Sequence, residues 1–297
     1  MIYDLSWQSL APNLIINNTA LPLAAGNRLS FTVSNTRHCI GYSTFKQGRR
    51  VSCPSGLEVS SGKNAQCDFC RKRDASFTAK TGYGFSQEAA DLLNTKHALY
   101  LAYFAKDIVK VGVTLWDRRE VRVSEQGALA CMFIAQGNGT AMRNLERQIH
   151  TRVGLTEWVR LDTKLANLCS SQPTETIALS HIQKAYTSVI SEVQSTALID
   201  EPDFHYLFPR YQIQSDVYIS AIESVRDVQG GAHLAGRVDG IYGKVLLLRV
   251  RSNILAINTQ LLIGYDATFD SQDNDFASSV DKQSLAVNRQ QSLFEEV

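Results

Sequence analysis

The amino-acid sequence predicts an α+β fold: a small β-barrel-like domain drawn from both chain ends, with a cysteine-bearing segment and an αβ core inserted between them. Three observations carry this. Short runs of β-branched and aromatic residues punctuated by Gly mark both ends, helical periodicity is confined to the middle, and residues 39 to 70 show little of either pattern. The boundaries that follow are an N-terminal β hairpin at 1–36, the cysteine segment at 37–82, the αβ core at 83–200, a C-terminal β domain at 201–267 and an acidic, mobile tail at 268–297.

At the N-terminus, Leu14-Ile15-Ile16 and Leu29 to Val33 flank an Ala24-Ala25-Gly26-Asn27 turn and read as a hairpin, too small to stand alone and expected to pair with the C-terminal sheet. Ser86 to Asn94 reads as a short helix capped by Ser86. Ala98 to Phe104 and Ile108 to Thr114 form a hairpin across Ala105-Lys106-Asp107. Ser124 to Gln136 and Thr140 to Val153 follow as helices, the second stopped by Gly154, and Glu175 to Ala197 is a third. Residues 211 to 267 return to short β runs interrupted by Gly230, Gly231, Gly236, Gly240, Gly243 and Gly264, which predicts a strongly bent sheet or barrel.

Apolar residues make up 44% of the 297 and charged residues 20%, and no apolar run approaches the roughly 20 residues that span a bilayer, so no membrane segment is expected. The start Met1-Ile2-Tyr3-Asp4-Leu5 lacks a secretory pattern, so a cytoplasmic location is expected. A net charge of +1 argues against wholesale coating of nucleic acid, but it hides a lopsided distribution. Nine Lys or Arg fall between Arg37 and Lys80 against Glu58, Asp68 and Asp74, a phosphate-facing surface or the solvated rim of a metal site.

Cys39, Cys53, Cys67 and Cys70 carry the strongest local signal. Cys67-Asp68-Phe69-Cys70 is a tight pair whose two thiolates reach one ion from a single turn, and the segment around it has too little apolar periodicity to fold unaided. Four thiolates close a tetrahedron around zinc and leave no position for a substrate, so the expected zinc is structural. His38 ranks below the cysteines as a ligand, and Cys131 and Cys169 are expected to be core thiols. Trp158, among apolar neighbours, is expected to anchor the helical layer to the sheet, and Gly127 to mark a close approach inside a helix.

Tyr100, Lys110-Val111-Gly112-Val113-Thr114, Arg122 and Glu146 stand in an order that resembles the GIY-YIG nuclease core. A closer resemblance is to a bacterial family of unknown function with a cysteine zinc knuckle and a GIY-YIG-like core. It is carried by Arg37 to Tyr42, the Cys-x2-Cys, His97 to Ala102, Lys110 to Thr114, Glu125 to Ala128, Thr156-Glu157-Trp158 and Gly240 to Lys244. The resemblance implies a phosphodiesterase centre at Tyr100, Lys110, Arg122 and Glu146. Glu146 would hold magnesium or manganese, Arg122 would pair with phosphoryl oxygens, and Tyr100 would orient or deprotonate the attacking water. Lys110 stands where the second motif tyrosine would be, and Ala98-Leu99-Tyr100 replaces Gly-Ile-Tyr. The expected partner is nucleic acid. A non-catalytic binding module and an enzyme acting on a small metabolite remain as alternatives.

Overall fold

The computed structural model describes residues 1–7, 11–17, 19–44, 50–60, 64–81, 87–104, 106–170, 174–214, 217, 221–270 and 275–285. In chain order the elements are β1 (Ile2–Ser6), β2 (Asn13–Ile16), β3 (Thr19–Pro22), β4 (Arg28–Arg37), β5 (Tyr42–Ser43), β6 (Arg50–Val51), α1 (Asp68–Arg73), α2 (Ala75–Thr81) and α3 (Gln87–Asn94). The middle of the chain gives β7 (Lys96–Tyr103), β8 (Val109–Leu115), α4 (Arg119–Glu125), β9 (Ala130–Asn138), α5 (Gly139–Val153), α6 (Leu161–Ser170), α7 (Glu175–Glu192) and β10 (Phe204–Tyr206). The last third is β11 (Ala221–Val228), β12 (His233–Tyr242), β13 (Val245–Val250), β14 (Asn253–Asn258), β15 (Tyr265–Phe269), β16 (Phe276–Ala277) and β17 (Val280–Ser284).

The inner sheet has the order β10-β9-β7-β8, all neighbours antiparallel. Side chains alternate across β7. Leu99, Leu101 and Tyr103 pack in the main core with Leu145 and Ile149 of α5 and Ile182 and Val189 of α7, while Ala98, Tyr100 and Ala102 join Cys131 and Phe133 on the other face. Each Leu or Ile so buried contributes roughly 1.5–3 kcal/mol, enough for helices and sheet to hold one another. The α5 helix starts at Asn138, whose side chain accepts from the Ala141 N–H, and stops at Gly154 in a left-handed conformation.

The outer sheet runs β15-β4-β12-β13-β14-β11-β17, with β16 also on β12. Its β4 comes from the N-terminal part of the chain and lies between β12 and β15. The path ends on β15 and β17, so the expected barrel-like closure is replaced among the described residues by an open sheet.

Several expectations are corrected. Residues 14–16 and 29–33 do not form a hairpin with each other: β2 pairs β1 and β3, whereas β4 enters the outer sheet. The span read as a helix from Ser124 to Gln136 holds the end of α4 and then β9, because its apolar run sits in a central strand buried on both faces. The third long helix ends at Glu192, short of Ala197. Part of the stretch expected as a mobile tail is structured, with β16 on β12 and β17 on β11, while residues 286–297 and the Ser86 cap lie outside the described residues. Among the described residues no helix is long and apolar enough to cross a membrane.

The two sheets meet at a glycine contact. A Cβ on Gly243 would fall 2.6 Å from the Gly127 nitrogen, and the Tyr242 ring covers Gly127. Gly127 is therefore a close approach, but it sits in the turn after α4 at φ +72°, not inside a helix. Around it Trp7 Nε1 donates to the Gly243 carbonyl at 2.7 Å and the Tyr211 hydroxyl donates to the Ala128 carbonyl at 2.6 Å.

Candidate functional site

The cysteine site is assembled from three separate stretches. Cys39 follows β4 and its N–H donates to the Leu57 carbonyl at 2.8 Å; Cys53 lies after β6; Cys67 precedes α1 and Cys70 is buried within it. The four sulfurs lie within 4.8 Å of one another, and Cys53 and Cys67 are 4.0 Å apart. A tetrahedron with bonds of about 2.3 Å sets sulfurs about 3.8 Å apart, so four soft thiolates here could hold a metal such as zinc. Backbone N–H groups of Gly41 and Cys67 donate to Cys39 Sγ at 3.4 and 3.2 Å. Burial pushes the Cys39 and Cys70 thiols up; at Cys53 burial is outweighed by backbone hydrogen bonds from Leu57 and Ser55, which bring it down to about 7. His38 instead meets Thr36 Oγ1 at 3.1 Å and the Gly56 carbonyl at 3.3 Å.

One polar side chain braces this segment internally and another binds it to the outer sheet. Asp74 accepts from the N–H groups of Ser43 and Phe77 and from Gln66 Nε2, at 3.0, 3.2 and 3.0 Å. Arg37 is buried and donates to the carbonyls of Ile263, Ser60 and Gln260 at 2.6, 3.0 and 3.0 Å. It is thus a clamp between segment and outer sheet and not part of a phosphate-facing surface. Arg71 pairs with Asp68 at 2.8 Å and Arg73 lies 3.6 Å over the Phe69 ring, so both are engaged locally. Lys46, Arg49 and Lys63 lie outside the described residues, as does the Lys80 side chain.

The second cluster gathers on the face of the inner sheet that carries Tyr100. Tyr100 opposes Gly112 on β8, and Lys110 opposes Ala102, so tyrosine and lysine share that face, with Lys110 Nζ 5.8 Å from the Tyr100 ring centroid. Segment 155–157 lies along the outer edge of β8: the Val111 N–H donates to the Thr156 carbonyl at 3.0 Å and Lys110 Nζ to the Glu157 carbonyl at 3.3 Å. Arg122 is half-exposed on α4 and contacts the buried Glu125 at 3.5 Å, which Arg118 also meets at 3.0 Å. Glu146 on α5 lies close enough to feel Lys110, Arg143 and the Val113 N–H, all of which favour its charge.

The electrostatics follow from burial. The Tyr100 hydroxyl is pushed up to about 12, chiefly by burial, against the opposing pull of Arg122 and of Gln126, whose Nε2 donates to it at 2.8 Å. Burial also raises Glu146, helped by Glu157. Lys164 is the residue that sequence reasoning missed. Its ammonium donates to the Gln126 carbonyl at 2.7 Å and lies 4.4 Å over the Phe104 ring. Burial, then Lys110 and Arg122, bring it down to about 7. A lone lysine on an amphipathic helix carries no signature that could have found it.

The structure therefore brings Tyr100, Lys110, Arg122 and Glu146 into one neighbourhood and adds Gln126 and Lys164. Arg122 acts on the buried Tyr100 hydroxyl, Lys110 on the partly exposed Glu146 carboxylate, and both on Lys164, an arrangement suited to an anion with several oxygens. His97 and His150 make structural hydrogen bonds to the carbonyls of Thr95 and Leu155, at 3.0 and 2.7 Å. Cys131 is a core thiol on β9 and not on a helix, and the Cys169 side chain lies outside the described residues. Trp158 is 68% exposed and so anchors nothing in the core.

Fold and sites together define a mixed α+β protein of several sheets, with a four-cysteine cluster at one place and Lys110, Arg122 and Lys164 gathered near Tyr100 at another. The chain belongs to the family described as "Protein of unknown function (DUF2797)", whose model matches residues 26–267. No curated protein and no solved structure matches the chain.

Proposed function

We propose that this is a zinc-stabilised protein that binds the phosphodiester backbone of nucleic acid in the cleft of Tyr100, Lys110, Arg122, Glu146 and Lys164. The observation that carries the reading is the convergence of three cations: Lys164 is held near neutrality partly by Lys110 and Arg122, so the cleft gains by taking up an anion. Arg122 offers the planar fork that suits phosphate, and Gln126 and Tyr100 supply neutral hydrogen-bonding groups. Zinc at the four cysteines serves the fold, since its coordination would be complete.

Cleavage is a second reading, favoured by Glu146. It stands beside the cations, is partly exposed, and can take one divalent ion that keeps most of its waters. Such an ion lowers the pKa of a bound water and neutralises charge on the phosphoryl group. In that reading Tyr100 orients by hydrogen bonding and does not act as the base, because its hydroxyl stays protonated to about pH 12.

The test is incubation of the purified protein with single- and double-stranded DNA and RNA, with and without magnesium or manganese, beside Glu146→Gln and Arg122→Ala. Salt-sensitive binding that weakens in Arg122→Ala supports the cleft; divalent-dependent cutting lost in Glu146→Gln supports hydrolysis. Binding indifferent to Arg122→Ala, and to Lys110→Ala run in the same titration, rules the cleft out.

A further inference from the structure

The cleft assigned above accounts for the phosphate of a ligand but for none of the rest of it. Immediately beside it stands a largely exposed aromatic side chain, Trp158. Trp158 follows Glu157, whose carbonyl holds Lys110 Nζ, and its indole is 68% exposed. Its backbone is fixed nonetheless. The Trp158 N–H donates to Thr156 Oγ1 at 3.2 Å, and that hydroxyl donates back to the Trp158 carbonyl at 2.8 Å, closing a tight turn on a segment already bonded to β8.

A large indole held in water by a rigid turn loses apolar burial that the core could have given it, so its exposure calls for a ligand. Behind it lies a cavity of about 200 Å³, between the start of α6 and the outer sheet, lined by Trp158, Leu161, Asp162, Val225, Asn258 and Leu261 among others. Leu161, Val225 and Leu261 give it apolar walls, and Asp162 and Asn258 give it hydrogen-bonding groups at fixed positions. Asp162 is held by Arg226 Nη1 at 3.1 and 3.3 Å, and Asn258 is held by the Gln260 N–H at 3.1 Å. Arg160 lies 5.8 Å from the indole centroid.

We propose that Trp158 and this cavity receive an unpaired nucleobase, stacked on the indole, whose adjoining phosphate lies in the Lys110 cleft. The occupant is therefore single-stranded nucleic acid, because a base in a duplex has no free face to offer. The proposal rests on the phosphodiester reading of the cleft. It adds that affinity comes from bases as well as phosphates, and that the two are read side by side, by Lys110 on β8 and by Trp158 on the segment hydrogen-bonded to it. Lys110, Arg122, Lys164 and Arg160 give the charge complementarity, and the flat indole accepts any base, so little sequence preference is expected.

The experiment titrates full-length protein with a short single-stranded DNA, the same sequence as RNA, the duplex, and an abasic strand that keeps every phosphate, reading affinity and tryptophan fluorescence. Trp158→Phe and Trp158→Ala are run beside wild type, with melting temperature confirming that both fold. The expected result is binding of the base-bearing single strand about tenfold tighter than of the abasic strand, with fluorescence quenching. That advantage is kept in part by Trp158→Phe and lost in Trp158→Ala. DNA and RNA arms of unequal affinity identify the sugar without changing the conclusion. Equal affinity for base-bearing and abasic strands, unaffected by Trp158→Ala, overturns the base site and leaves the phosphate cleft standing. No binding of either strand overturns both.

Discussion

Gly112 lies directly opposite Tyr100 in the β7–β8 ladder, and a Cβ built on it would stand 2.5 Å from Tyr100 Cζ. The tyrosine ring therefore lies across β8 only because that position has no side chain, and its hydroxyl reaches Gln126 by the same route. Gly112→Ala is expected to lower stability by about 1–3 kcal/mol through overpacking. Denaturant melts check this, and pairing the change with Tyr100→Ala is expected to recover part of the loss, because the two sites share one space.

Cys67→Ser removes one of four clustered thiolates. Zinc content of the purified protein is expected to collapse, with a fall in melting temperature, since the small cluster that Ile40 and Ala65 of this segment make with Ile263 is little apolar core to hold it. Elemental analysis and a melt read both; unchanged zinc and an unchanged melt would sink the structural-metal reading.

Arg37 satisfies three backbone carbonyls from two segments. Arg37→Ala removes that donor from all three and is expected to cost about 3 kcal/mol, since each unsatisfied buried group costs roughly 1–3 kcal/mol. Arg37→Lys keeps the charge but not the fork and is expected to recover little. Thermal melts at fixed zinc concentration distinguish this clamp from a metal effect.

Lys164 gives a pH dependence of definite sign. Its folded-state value of about 7 lies below the unfolded value of 10.5. Below pH 7 both states carry the proton and the burial penalty is present in full. Between about 7 and 10.5 the unfolded state binds more protons, so this group makes stability rise with pH across that window. Phosphate binding goes the other way: it favours the charged ammonium and weakens once Lys164 loses its proton. Lys164→Met is expected to flatten both dependences, read by melts and by oligonucleotide titrations between pH 6 and 9.

Where local chemistry decided the structure, it could be read from the sequence. Gly154 announces the end of α5, and the apolar β-branched runs around Ala105-Lys106-Asp107 announce the β7–β8 pair. The tight Cys67–Cys70 spacing pointed to a cluster that Cys39 and Cys53 complete. Where partners lie far along the chain, local chemistry was silent. Leu29 to Val33 looks like the mate of residues 14–16 but pairs with β12 and β15. The run from Ala130 to Ala135 is buried on both faces and so loses the alternation that marks a strand. Trp158 looked like core because its neighbours are apolar, yet the turn through Thr156 faces it outward.

The placement of β4 has a consequence for synthesis. Thr32 and His233, hydrogen-bonded across β4 and β12, are 201 positions apart, so at roughly 5–20 residues per second the earlier strand waits about 10–40 s for its neighbour. Through that interval Leu29, Phe31 and Val33 have no sheet to enter. The strands of the inner sheet all fall between Lys96 and Tyr206, and its nearest pairings are local. The ribosome therefore delivers a complete inner module while the outer one is still half made, and the chain matures from its middle outward.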